Sequence, residues 1–121
     1  MRPNSIHAVA DRILRGADKT SVIKEFIDEF RYLISAGGDI GNMIRQEPEL
    51  TGNHMADAYV AGLAECIALR SGMQVPPWVD APPRFLADQV VIGGRHSRKS
   101  MLLKTPKCMS KRRLFCGEVT L

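Results

Sequence analysis

The sequence predicts an all-α protein, a single domain of four to six helices with a proline-stiffened, partly irregular C-terminal third. Three observations carry this. Apolar residues recur at helical spacing over residues 20–36 and 53–71; glycines stand where those helices should stop; and prolines interrupt the C-terminal third, where Val90-Val91-Ile92 before Gly93-Gly94 reads as extended or as a turn. A length of 121 residues suits one domain with a real core, and 45% hydrophobic with 25% charged residues is ordinary for a globular chain. Only 6% is aromatic, so aliphatic residues and Met must fill the interior.

The first predicted helix covers residues 5–15. Ser5 suits the N-cap, Ile6, Val9, Ala10, Ile13 and Leu14 form the apolar side, and Gly16 ends it. Residues 20–36 give the clearest stripe: Val22, Ile23, Phe26, Ile27, Phe30, Leu33 and Ile34. Thr20 or Asp18 is placed to cap it and Gly37-Gly38 to stop it. No polar group interrupts the stripe, so it reads as core. Asp39 is placed to cap a short helix through Met43 and Ile44, which Pro48 ends.

Residues 53–71 form the second long helix, with Met55, Tyr59, Val60, Leu63, Ile67 and Ala68 as its stripe and Gly72 as its stop. Ala56, Ala58, Ala61, Gly62 and Ala64 are small, which suits the close approach of another helix, from the same chain or from a second copy in a homodimer. Pro76-Pro77-Trp78 and Pro82-Pro83 exclude helix interior. Trp78, Phe85 and Phe115 are expected to anchor the irregular third on the long helices. Ser97 to Leu103 reads as helical. Thr105-Pro106, as cap and first helical position, predicts one more short helix to about Arg112.

Charge is segregated. Residues 95–113 hold Arg95, Arg98, Lys99, Lys104, Lys107, Lys111, Arg112 and Arg113 and no acidic group, and this stretch supplies the entire net charge of +4. Such a segment points to a negatively charged partner, either an acidic protein surface or nucleic-acid phosphates. Phe115 is the one aromatic close by, which gives little support to stacking on single strands. The run from Gly93 to Ser100 has the residue types of a phosphate loop without its G-x4-G-K-[ST] spacing.

Nothing identifies a reaction, and the chain reads as a non-enzyme without cofactor. His7, His54, His96, Cys66, Cys108 and Cys116 show no metal-ligand spacing, so no metal site is expected. Three cysteines at irregular spacing argue against a disulfide framework. Cys66 reads as a buried thiol, whereas Cys108 and Cys116 lie among cations that would lower their pKa values. No apolar run approaches the roughly 20 residues of a membrane span, and the N-terminal residues lack the pattern of a secretory signal, so the expected setting is the cytoplasm.

Several stretches together resemble a known family. Ile23 to Phe30 is similar to an EFLDEF opening. Leu63-Ala64-Glu65 through Leu69-Arg70-Ser71-Gly72 with Val75-Pro76-Pro77-Trp78 resembles LAE…LAxRxGLPxPxW. Pro83 to Leu86 looks like P-x-R-F-L, and Thr105-Pro106 with Lys111 to Phe115 resembles SPxxFRRRxxF. The pattern is that of a small bacterial helical domain of largely unknown function, which also occurs behind helix-turn-helix segments. The resemblance spans about residues 20–115, with a poor match over 87–104. It implies a helical fold, a setting beside nucleotidyltransferases of the toxin–antitoxin kind, and an antitoxin-like role with no catalytic residue.

Overall fold

The computed structural model describes residues 1–92 and 98–121, with Arg98 described by its backbone alone. Among them are six α-helices: α1 (Ile6–Leu14), α2 (Lys19–Ala36), α3 (Gly41–Ile44), α4 (His54–Arg70), α5 (Arg98–Lys104) and α6 (Lys107–Ser110). Two 3-10 turns, Pro77–Asp80 and Pro82–Arg84, follow α4. Two short strands, β1 (Val90–Val91) and β2 (Leu114–Phe115), pair in parallel with Val90 opposite Leu114.

The helix ends form by local hydrogen bonding. Ser5 Oγ accepts from the Ala8 amide, Asp18 Oδ2 from Ser21, and Asn53 Oδ1 from Ala56, each satisfying an amide that has no partner inside its helix. At the other end of α2, Gly37 takes a left-handed φ of 72°. The Gly38 amide then reaches Leu33 O at 2.8 Å and the Gly37 amide reaches Ile34 O. This doubly bonded reversal favours a residue without Cβ. The same two-bond pattern closes α1 at Gly16 and α4 at Gly72.

The long helices are not a simple packed pair. α2 lies chiefly on α1, while α4 runs through the middle, touched by α1, α3, both 3-10 turns, α6 and β2. Every residue from Val60 to Glu65 is buried, so α4 is covered all round rather than along one stripe. The small-residue run noted in the sequence is filled by the chain itself. A Cβ on Gly62 would collide with Met109 Sδ and lie 3.1 Å from Cys108 O, so α6 crosses α4 closely enough to favour glycine here. That removes the case for a homodimer through this face.

The proline-rich third is ordered by side chains reaching backward. Trp78 is 7% exposed and its Nε1 donates to Ile44 O at 3.0 Å, tying the first 3-10 turn to the end of α3. Phe85 and Phe115 are only part-buried; their neighbours Leu86 and Leu114 enter the core instead. The chain from Leu86 to Ile92 then runs beside 112–115, with the Leu86, Val90 and Ile92 amides donating to the carbonyls of Arg112, Arg113 and Phe115. Thr105 does not cap α6. Its hydroxyl donates to Met101 O and accepts from the Gly117 amide, and Pro106 takes the cap position.

Candidate functional site

The basic segment does not present one continuous cationic surface. Its placement follows from α4, whose stretch from Met55 to Leu69 carries just two charged residues, Asp57 and Glu65. Both are buried, and a buried carboxylate requires partners. Thr51 answers Asp57, its amide and hydroxyl both donating to Oδ1 at 2.8 Å. Glu65 draws in two residues of the basic segment: Arg112 Nη1 lies 3.0 Å from Oε1, and Lys111 Nζ lies 3.0 Å from both carboxylate oxygens. Asp80 Oδ1 approaches the same ammonium at 4.0 Å.

Arg112 is wholly buried, contrary to its expected place on a partner-binding surface. Beyond Glu65 its guanidinium donates to Cys108 O at 2.5 Å and Val79 O at 2.7 Å, and it stacks 5.0 Å from the Phe85 ring centroid. One side chain therefore joins α4, α6 and both parts of the proline-rich crossing. The sequence signalled only the need: Glu65 stands in a nearly uncharged stretch and requires a partner once buried, but nothing local says which cation supplies it. Lys111 remains partly in solvent while paired.

Arg84, which the sequence did not single out, is a second interior guanidinium at 2% exposure. Nη2 donates to Pro48 O at 2.6 Å and the group stacks 5.1 Å from the Trp78 ring centroid. Burial pulls its pKa down, opposed by the charges of Asp57 and Glu47.

The remaining expected site residues divide. Lys99 and Lys104 lie exposed on α5, Lys107 lies exposed on α6, and Arg113, held at a left-handed φ of 66°, directs Nη1 to Ala87 O while staying exposed. Arg95 and the Arg98 side chain lie outside the described residues, as does the glycine-rich run from Gly93 to Ser97. On α5, Lys99, Leu102 and Leu103 fall at three- and four-residue spacing, hence on one face. Leu102 is 41% exposed and Leu103 77%. That face is apolar as well as basic.

The cysteines depart from expectation. Cys66 of α4 and Cys108 of α6 form a disulfide, with Cα atoms 5.8 Å apart across a separation of 42 residues. Neither is a free thiol, and the irregular spacing gave no warning because the pairing depends on α6 crossing α4. Cys116 is free, but burial pushes its thiol up to about 11 rather than down. It lines a groove of about 300 Å³ between α2 and α4 with Lys19, Thr20, Ile23, Met55, Tyr59 and Ile92. Burial pushes the Tyr59 hydroxyl there up to about 12. Both groups stay protonated near neutrality.

Among the described residues no cluster of His, Cys, Asp and Glu could hold a metal ion, and no helix is long and apolar enough to cross a membrane. No family model matches the chain, nor does any curated protein or solved structure.

Proposed function

We propose that this chain is a non-enzymatic protein-interaction domain whose α5 face docks on an acidic protein surface with an apolar centre. The observation that carries the reading is the exposure of Leu102 and Leu103 beside Lys99 and Lys104. Adjacent exposed leucines gain nothing from phosphates, whereas an interface excludes water from them and leaves cations at the polar rim. Lys107 and Arg113 extend the positive charge that would steer an acidic partner. The family resemblance adds a candidate for that partner, a nucleotidyltransferase of the toxin–antitoxin kind, with this chain as the antitoxin-like component in the cytoplasm.

The test is co-purification of the tagged protein from its native cell at moderate salt, with and without nuclease, beside a variant carrying Lys99→Glu, Leu103→Asp and Lys104→Glu. A stoichiometric partner that survives nuclease and is lost from the variant is the expected result. Recovery of nucleic acid alone, released by salt, would replace this reading with phosphate binding by the same cations.

A further inference from the structure

We propose that the Cys66–Cys108 bond is a thiol–disulfide exchange site, opened and reclosed by an external dithiol. The inference is independent of the docking face.

Both cysteines line a groove of about 300 Å³ open to solvent, whose charged side chains are Arg70 and Lys107; Leu69, Pro106 and Val119 form its apolar wall. Cys66 is part-exposed and Cys108 is 5% exposed, so the sulfur within reach of a reagent is that of Cys66. Exchange proceeds by attack of a thiolate, and its rate rises with access and with the stability of the thiolate that leaves. Arg70 and Lys107 favour both the incoming and the departing anion.

In the first step the thiolate of the dithiol bonds to Cys66 Sγ. The Cys66–Cys108 bond breaks and its electron pair leaves on Cys108 Sγ. The second thiol of the dithiol gives up its proton, attacks its own partner sulfur in the mixed disulfide and expels Cys66 as thiolate. The dithiol is oxidised by two electrons and closes into its own disulfide, while the two protein thiolates take up the two protons that the dithiol released.

The fold is built to outlast this opening. α6 is also held on α4 by Met109 against Gly62 and by Arg112 and Lys111 on Glu65. Reduction therefore yields a folded dithiol form whose sulfurs stay opposed for reoxidation. This distinguishes the bond from a staple without which the chain unfolds.

The test uses the oxidised full chain with Cys116→Ser, so that only the pair is counted. Dithiothreitol is added in native buffer, and thiols are trapped with a mass-adding maleimide over time while helix content is followed by circular dichroism. No thiol should label before reductant and Cys66 should label after it, with helix content retained. Arg70→Glu with Lys107→Glu should slow the reduction by about tenfold, and added salt should slow the parent chain but not this variant. The proposal is overturned if Cys66 labels before reductant, if it labels only in denaturant, or if the charge-reversed variant is reduced at the parent's rate.

Discussion

Arg112 satisfies two carbonyls, a carboxylate and an aromatic face from a position with no solvent exposure. Its removal would strand Glu65 with Lys111 alone and leave Val79 O and Cys108 O without its donors. Truncating one member of a buried ion pair costs about 3–5 kcal/mol. Arg112→Leu should therefore lower the unfolding free energy by about that much, whereas Lys104→Ala, exposed on α5, should change it by no more than about 0.5 kcal/mol. Urea denaturation of the two variants checks the division of the basic segment into interior and surface. Trp78→Ala should cost about 3–5 kcal/mol, combining a lost aromatic with a lost donor to the Ile44 carbonyl. If it melts like the parent, Trp78 does not organise the proline-rich third. Trp78 was legible as an anchor because a large aromatic between prolines has few uses besides packing. Arg112 was not, because Lys111, Arg112 and Arg113 look alike in sequence and only one of them is wholly buried.

At the scale of elements, α1, α2 and α4 were readable to within about two residues, since caps and glycine stops act between neighbours a few positions apart. The crossing of α6 over α4 was not readable in detail. The small residues of α4 pointed to a close approach without naming the helix that makes it, and Cys66 and Cys108 meet only because of that crossing. Gly62→Ala would press a methyl group against Met109 and against Cys108 O at 3.1 Å. Overpacking of this kind costs about 1–3 kcal/mol, measurable as a lowered melting temperature with unchanged helix content. A Gly62→Ala variant as stable as the parent would mean that α6 sits further from α4.

For the whole molecule, alkaline titration should read the buried Tyr59 and Cys116 together. Burial raises both, the thiol from 9.0 to about 11 and the hydroxyl from 10.0 to about 12. A raised pKa means that the folded state favours the protonated form. The associated stability is complete below pH 9 and is lost as pH climbs through the folded values. The urea midpoint should hold to about pH 9 and then fall toward pH 12, and Cys116→Ser should delay the onset toward pH 10. A flat profile over that range would place both groups in solvent.

The amino-acid sequence by itself determined the all-α class, the three principal helices with their starts and stops, and the local excess of positive charge, because each depends on residues within a turn or two of one another. Tertiary structure decided where that charge lies. Arg112 reaches Val79 O across 33 residues and Lys111 reaches Glu65 across 46. Which of these cations are drawn inside is thus set by the buried carboxylate of Glu65 on α4, a desolvation cost that arises only when the chain closes around that helix.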